Sequence, residues 1–247
     1  SRAKHVLCDK PMAVSAWDAE EMVAACRAAG RVLRVGLQMR FTKILQAARD
    51  AVAEGRLGEV RIVYARRNWL YDPKTHGDLW RKELARAGAG ALNDTGVHAI
   101  DYVRWILGDE VSRVFAFAHP PRESGLPDET MTVLMEFSRG CQATVHISRE
   151  LPMASHDLQI YGTRGMLATG SLRWAERQRL TLRTTDGSAK YEYPVENPFL
   201  LQIDAFAEEV AGRRTAMATG DDGLALAKVT DAALRSLGSG AAVAAEG

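Results

Sequence analysis

Two separated segments of the sequence carry side chains that could handle a proton and a developing negative charge. The first is Cys8-Asp9-Lys10-Pro11, where a short apolar run ends at a lysine that is followed by a proline. Proline ends the strand and restricts Lys10 to extended or turn geometry. Held there, its ammonium group could donate to a substrate hydroxyl and stabilise an alkoxide. The alternative for this tetrapeptide alone is a solvated lysine before a turn.

The second segment, Gly88 to Asp101, combines glycines with titratable side chains at helical spacing. Asp94 and His98 are four residues apart, and Asp101 lies three residues beyond His98, so all three can share one helical face. An imidazole titrates near neutral pH, which suits His98 as a proton acceptor, and Asp94 could orient the imidazole or the substrate. The alternatives are an acidic residue favoured by the helix dipole, a structural histidine, and a metal-binding pair that lacks an evident third ligand.

Other side chains are candidates for binding a phosphate, a carboxylate or a ring. Trp80-Arg81 places an aromatic plate beside a guanidinium, and Arg40, after the second predicted strand, is expected at the same sheet edge as Lys10. The alternative for each arginine is a solvated surface position. Arg66-Arg67 is assigned to a strand whose outward face is solvated. Three histidines show no partner spacing and are interpreted as structural: His119, His146 and His156.

The elements that must position these groups follow from hydrophobic periodicity. Residues 5–8 and 32–37 are predicted as short buried strands, and residues 15–29 as the helix between them, with Ser15 as N-cap and Gly30 just past the end. A parallel strand pair with one crossover helix must continue a larger sheet. We therefore expect residues 1–42 to be the C-terminal part of a doubly wound sheet, with Lys10 at its ligand-binding edge.

Residues 43–247 show a different pattern and are predicted to form a second domain. A helix is expected over 44–55 and a long alternating strand over 59–69, followed by strand-like runs at 111–118, 130–137, 142–148, 157–161, 180–184 and 191–194. Strands at hairpin spacing indicate an open, mostly antiparallel sheet, and three helices, at about 95–107, 199–212 and 223–237, are expected to pack on it. The predicted fold class is thus α/β followed by α+β, with the last helix packing back on the first domain.

Composition excludes several classes of partner. The 32 basic and 31 acidic residues leave a formal net charge of +1, which favours neither a nucleic acid nor an anionic membrane. Three cysteines at unrelated spacings fit neither a disulfide framework nor a zinc motif. No apolar run approaches the roughly 20 residues of a spanning helix, and the first residues have no signal-peptide anatomy. We expect a cytoplasmic protein with no membrane and no nucleic-acid partner.

The two chemical motifs together resemble those of the Gfo/Idh/MocA oxidoreductases. Residues 4–11 resemble the family's Glu-Lys-Pro segment, residues 88–101 resemble its Gly-Gly-Gly-x-x-x-Asp-x-Gly-x-His-x-x-Asp motif, and residues 222–240 resemble its closing helix. The resemblance implies a Rossmann domain followed by a domain whose open sheet forms an oligomer interface. It also implies hydride exchange between NAD or NADP and a small carbohydrate-like substrate, namely a sugar, inositol or related polyol.

The resemblance also implies a role for each candidate residue. Lys10 would bind the reacting oxygen, His98 would act as acid and base, and Asp94 would support both. The residues implied on the cofactor side are Asp9, Pro11, Arg40, Trp80 and Arg81. No metal is implied.

Three departures from the family pattern bear on these roles. Asp9 stands where the family has glutamate, and Ala89 replaces the middle glycine, which is tolerated if its φ is negative. No Gly-x-Gly-x-x-Gly turn precedes Lys10, so we expect a chain that begins within the family's Rossmann domain and holds a dinucleotide poorly.

Two alternatives to hydride exchange with a sugar or polyol stay open. One is a family member that cleaves a glycosidic bond with transient use of NAD, and the other is a non-catalytic binding or assembly module.

Overall fold

The computed structural model describes residues 4–72, 79–173 and 177–245, with the backbone alone at residues 79 and 80. Its helices and strands, in chain order, are β1 (Val6–Asp9), α1 (Ala16–Ala28), β2 (Leu33–Gly36), α2 (Lys43–Ala53), β3 (Val60–Leu70), α3 (Leu84–Ala87), α4 (Val97–Leu107), β4 (Val111–His119), β5 (Thr130–Phe137), β6 (Gln142–Ser148), β7 (Glu150–Gly162), β8 (Gly165–Thr169), β9 (Gln178–Thr184), β10 (Gly187–Tyr193), α5 (Pro198–Val210), β11 (Ala218–Thr219), α6 (Gly220–Ser239) and β12 (Val243–Ala244). Short 3-10 turns lie at Gln38–Phe41, Leu79–Lys82 and Arg122–Ser124, and a π-helical turn at Leu92–Gly96.

The first sheet has three strands in the order β1-β2-β11. β1 and β2 are parallel and are joined through α1, as predicted. The α1 helix begins where expected, because the Ser15 hydroxyl accepts a hydrogen bond from the Asp18 amide at 3.1 Å. It ends before Gly30, whose φ of +61° suits glycine. β11 pairs antiparallel with β2. A two-residue strand is too short to leave a periodic signal in the sequence.

The second sheet has nine strands in the order β10-β9-β8-β7-β3-β6-β5-β4-β12. Its pairs are antiparallel except β3 with β6, so the predicted open, mostly antiparallel sheet is confirmed. The strand predicted over 157–161 begins earlier, at Glu150. β8 and β12 were not predicted, because five and two residues between turns are too few for alternation to stand out.

Helices on the inner face of the large sheet fix the position of the candidate site. α4 packs against α2 and β3, and α6 packs against α1, β2 and β4. The α4 side chains Ile100 and Tyr102 are fully buried. The α6 helix begins with a capping box between Thr219 and Asp222. Because α6 contacts elements of both sheets, it holds the carboxyl ends of β1 and β2 beside the start of α4.

The opposite face of the large sheet carries exposed apolar side chains. They sit on alternate positions of neighbouring strands: Ile62, Tyr64, Phe117, Leu134 and Tyr161 are 36% to 61% exposed. We call these five residues and the strand positions between them the outer face. No described helix is both long and apolar enough to cross a bilayer.

Candidate active site

Lys10 lies at the carboxyl end of β1 and meets the glycine-rich motif across the junction of the two sheets. Its ammonium donates a short hydrogen bond to the main-chain oxygen of Asp94 and lies 3.5 Å from the carboxylate oxygen Oδ1. The Asp9 carboxylate accepts from the Lys10 amide at 2.8 Å and fixes the turn. Burial lowers the pKa of Lys10 from its ordinary value, while the Asp94 carboxylate acts to raise it. The two motifs that are far apart in the sequence therefore form one site.

The glycine motif is clamped onto the segment before β5. Gly88 has a φ of +69°, and an added Cβ at Gly90 would lie 1.8 Å from the main-chain oxygen of Asp128. The Asp128 carboxylate accepts from the amides of Gly90 and Leu92 at 2.5 and 2.9 Å. Among the described residues positive φ occurs only at glycine, so Ala89 has a negative φ and its departure from the family pattern is tolerated, as predicted.

His98 lies in the first turn of α4, directly after the π-helical turn. Its side chain is 4% exposed and its Nδ1 atom has no hydrogen-bond partner among the described residues. Burial lowers its pKa well below 6.5, and the nearby charges of Arg67 and Lys10 lower it further. The imidazole is therefore neutral at neutral pH and able to accept a proton.

Asp94 is held among cations. Its carboxylate lies 3.5 Å from Lys10 Nζ, 3.4 Å from Arg81 Nε and 3.9 Å from Arg149 Nη1. Among the described residues no hydrogen bond joins Asp94 to His98, so of the two expected roles of this carboxylate, orienting the imidazole or the substrate, only the second stays a prediction. Asp94 lies within the π-helical turn, whose i→i+5 hydrogen-bond pattern differs from the α-helical i, i+4 spacing that the expectation assumed.

Arg149, the residue after β6, is a part of the site that no sequence pattern indicates. Its side chain is 1% exposed, and its Nη2 atom lies 3.2 Å from Glu129 Oε2 and 3.5 Å from the main-chain oxygen of Asp128. It therefore links the carboxylate of Asp94 to the segment that clamps the glycine motif. Only the packing of β5 and β6 against the π-helical turn brings these groups together.

Two cavities meet at Asp94. The lysine cavity, of about 390 Å³, is lined by Asp9, Lys10, Pro11 and Arg81 among others. The histidine cavity, of about 510 Å³, is lined by His98 and by residues of β3 and β7. Both volumes fall in the range of roughly 300–1,000 Å³ that small-molecule sites occupy. The structure thus gathers most of the predicted site residues around one point.

Arg40 is an exception, since it lines neither cavity. The residue is 3% exposed, and its guanidinium forms a two-pronged ion pair with Asp101 at 2.6 and 3.0 Å, with a further contact to Asp222 at 3.1 Å. Burial alone would lower the pKa of Arg40, but the two carboxylates raise it. Its position joins α4 to α6 rather than reaching a ligand. The side chain of Trp80 lies outside the described part of the structure.

Two residues that sequence patterns assigned elsewhere line the histidine cavity. Arg66 lies on the outer face and pairs with Asp157 at 2.8 Å, but Arg67 points inward with Val63 and Ala65. The alternation of β3 contains this information, because positions 63, 65 and 67 share one face. His156, interpreted above as structural, lies opposite Arg67 on β7 and also lines the cavity. Its strand register could not be read from the sequence.

The described residues fit the reactive end of a nicotinamide cofactor. The lysine cavity opens at the carboxyl edge of a parallel strand pair, where doubly wound sheets bind ligands. Beside it, the unpartnered Nδ1 of buried His98 marks a place for a polar ligand group. The residues that would lie along the cofactor are Asp9, Pro11 and Arg81. The sequence has no Gly-x-Gly-x-x-Gly turn to hold a pyrophosphate. No group of three metal-ligating side chains occurs within the described ranges.

Comparisons with known proteins agree with this arrangement. Residues 1–37 match a model described as an oxidoreductase family with an NAD-binding Rossmann fold, and residues 45–168 match the GFO/IDH/MocA C-terminal domain. A 1,5-anhydro-D-fructose reductase from Ensifer adhaerens is 33% identical over 227 residues, which are 90% of this chain and 66% of the reductase. The chain thus spans just under two thirds of that relative.

Solved structures share the fold. An aldose-aldose oxidoreductase from Caulobacter crescentus, in complex with glycerol, has a TM-score of 0.85 and 29% identity, covering 97% of this chain and 72% of that one. GenD2 from gentamicin A biosynthesis, in complex with NAD, has a TM-score of 0.81 and 25% identity, covering 97% of this chain and 71% of its own. The chain belongs to the Gfo/Idh/MocA family of oxidoreductases.

Proposed function

We propose that this chain carries the catalytic and substrate-binding groups of an NAD- or NADP-dependent oxidoreductase that acts on a CH–OH group of a sugar, inositol or related polyol. The observation that carries the proposal is the meeting of Lys10, Asp94 and His98 at the junction of two cavities. The relatives' names support it, since they include a reductase of an anhydro-sugar and an aldose oxidoreductase.

The chemistry needs a hydride acceptor or donor, which the nicotinamide supplies when it is bound. In the direction of oxidation, neutral His98 takes the hydroxyl proton of the substrate. The ammonium of Lys10 donates to the same oxygen and stabilises its negative charge as the carbon–hydrogen bond breaks. Asp94 holds Lys10 in place and offsets part of its charge. In the direction of reduction, His98 must first carry a proton, which it gives to the carbonyl oxygen as the hydride reaches the carbon, while Lys10 donates a hydrogen bond to the same oxygen.

The test is hydride transfer by the full-length protein, followed by the absorbance of the reduced nicotinamide. We expect Lys10→Ala and His98→Ala each to lower kcat by about 10²- to 10⁴-fold, the range for a general base or an oxyanion donor. Two matched controls are Lys190→Ala and His146→Ala, whose side chains are exposed on strands away from both cavities. Unchanged rates in both site variants, on every substrate that reacts, would show that the assigned roles are wrong.

We further propose that the protein forms homo-oligomers through the outer face. The support is the apolar area that Ile62, Tyr64, Phe117 and Leu134 expose on neighbouring strands, which is larger than scattered surface residues would give. We expect Tyr64→Arg with Leu134→Arg to shift the mass measured by light scattering to that of a monomer. A wild-type protein that is already monomeric at micromolar concentration would contradict the proposal.

We also propose the cytoplasm as the compartment. The support is that Cys8, Cys26 and Cys141 are all free thiols, which is typical of a reducing environment. Fractionation of cells that express the full-length protein from its own promoter tests this assignment.

A further inference from the structure

One wall of the histidine cavity carries a cation, Arg67, for which the described residues provide no carboxylate in direct contact. The Arg67 side chain projects from the inner face of β3, where its Nε atom donates to the Thr95 hydroxyl at 2.8 Å. No carboxylate within the described ranges lies within 4 Å of its guanidinium. Burial lowers the pKa of Arg67 from its ordinary value, which is the response of a charge that is poorly solvated and poorly paired. No described hydrogen bond or ion pair occupies its two terminal amino groups.

A second basic side chain and an unsatisfied imidazole lie around the same space. Arg173, which follows β8, lines the cavity. His156 is the direct cross-strand partner of Arg67, and its buried Nε2 atom has no hydrogen-bond partner in the described structure. Burial and the charges of Arg67 and Arg173 lower the pKa of His156 to about 4, so this imidazole is neutral. A neutral imidazole adds a hydrogen bond without adding charge.

The carboxylate in the wall of the histidine cavity already contacts other cations. Among the described lining residues the carboxylate is that of Asp94, which faces Lys10, Arg81 and Arg149. The Asp94 carboxylate lies within 4 Å of these three cations and acts on the charge of Arg67 only from a greater distance. A cavity lined by more positive than negative charge attracts an anion. The two terminal amino groups of a planar guanidinium match the two oxygens of a carboxylate.

We propose that the substrate is a sugar acid or a polyhydroxy acid, whose carboxylate binds the terminal amino groups of Arg67 with His156 beside it. The alcohol carbon that reacts then lies in the part of the histidine cavity next to His98 and Asp94, where the lysine cavity meets it. The carboxylate takes no part in the redox step and sets binding and orientation. This inference rests on the proposed oxidoreductase activity and adds the charge of its substrate.

The experiment compares matched substrates that differ at one carbon. Each set is an aldose, the uronate with a carboxylate in place of its terminal CH₂OH, and the aldose 6-phosphate, in the gluco, galacto and manno configurations. The full-length protein is assayed for kcat and KM with both nicotinamide cofactors. The variants are Arg67→Gln, Arg67→Lys, and the control Arg66→Gln, whose side chain lies on the outer face of the same strand.

We expect the uronate of the preferred configuration to have the higher kcat/KM. Arg67→Gln should lower kcat/KM for the acid by roughly 10- to 150-fold, the value of a charge-assisted hydrogen bond, mainly through KM. The loss for the neutral aldose should be smaller than the loss for the acid, because the aldose has no carboxylate to bind Arg67. Arg67→Lys should keep part of the acid preference, and Arg66→Gln all of it. For the wild-type protein alone, KM for the acid should rise with salt while KM for the aldose does not.

The outcomes separate the two proposals. Equal use of acid and aldose, equal losses in Arg67→Gln, or a preference for the 6-phosphate would overturn the carboxylate site and leave the oxidoreductase activity intact. If the protein turns over no substrate, or if a variant does not fold, calorimetry of the wild-type protein with the uronates still measures whether an acid binds. Binding of an acid that weakens with salt, without hydride transfer, would support the anion site and reject the activity. If no acid binds and none reacts, the carboxylate site is wrong.

Discussion

Gly90→Ala tests whether the glycine motif is shaped by the protein's own backbone. The added Cβ would lie 1.8 Å from the main-chain oxygen of Asp128, whereas ordinary contacts begin near 3.4 Å, so one of the two segments must move by about 1.6 Å (3.4 minus 1.8). That movement breaks bonds, because this oxygen accepts from Ala91 at 2.7 Å and the Asp128 carboxylate accepts from Gly90 at 2.5 Å and Leu92 at 2.9 Å.

The magnitude follows from those bonds. Overpacking costs about 1–3 kcal/mol, and loss of one hydrogen bond to a charged group costs about 1.5–3 kcal/mol. We expect a loss of about 3–5 kcal/mol in the free energy of unfolding. For a chain of this size that corresponds to a fall in Tm of roughly 6–20 °C, measured by scanning calorimetry.

Gly238→Ala is the matched control. Gly238 lies in α6 with no atom within 4 Å of an added Cβ, so alanine should stabilise the helix by up to about 1 kcal/mol. The Asp94 amide donates to the Gly90 main-chain oxygen at 3.0 Å. Gly90→Ala should therefore also lower kcat at a temperature where the variant is folded. A Tm within about 2 °C of the wild-type value would refute this reasoning.

Three further predictions concern charged groups. Arg40→Met leaves Asp101 buried without its partner, so the free energy of unfolding in urea should fall by about 3–5 kcal/mol; a loss below about 1 kcal/mol would contradict the structural role. Arg149→Met removes a cation beside Asp94 and should lower kcat more than it raises KM in steady-state assays; a change in KM alone would point to substrate binding instead. Acid should destabilise the fold through His156, whose folded pKa of about 4 lies below its ordinary 6.5. As the pH falls below 6.5 the unfolded chain binds the proton first, and stability declines by up to about 1.4 kcal/mol per pH unit until about pH 4. His156→Gln should therefore lose less stability than the wild-type protein between pH 7 and pH 5 in urea titrations, and an equal loss would argue against the lowered pKa.

Local patterns were enough to predict most of the fold. The β1-α1-β2 unit, the α4, α5 and α6 helices and the core strands of the large sheet depend on periodicity and capping within short windows, and the structure confirms them. The strands that were missed, β8, β11 and β12, have five or two residues and form because a partner strand is already in place. The free energy of their pairing comes from contacts with strands that are distant in the sequence, so no short sequence window reveals it.

For the candidate site too, the sequence predicted some features and only the tertiary structure decided the others. Residue types and spacing single out Lys10, Asp94 and His98 as groups able to move a proton, because their chemistry is intrinsic and their spacing is local. The partners of those groups were decided by packing: Arg149 beside Asp94, Arg40 turned to Asp101, and the π-helical turn that separates Asp94 from His98.

Lys10 shows which features of the site can be predicted from the sequence and which cannot. The sequence determined a lysine at the end of a short strand, since an apolar run followed by proline favours that geometry, although the structure leaves the strand half-buried rather than buried as predicted. Only the tertiary structure decided that its ammonium faces the carboxylate and main-chain oxygen of Asp94, 84 residues away. That contact depends on α6 joining the two sheets. The charge left over at Arg67 likewise depends on which strands become neighbours, and strand order is a property of the whole chain.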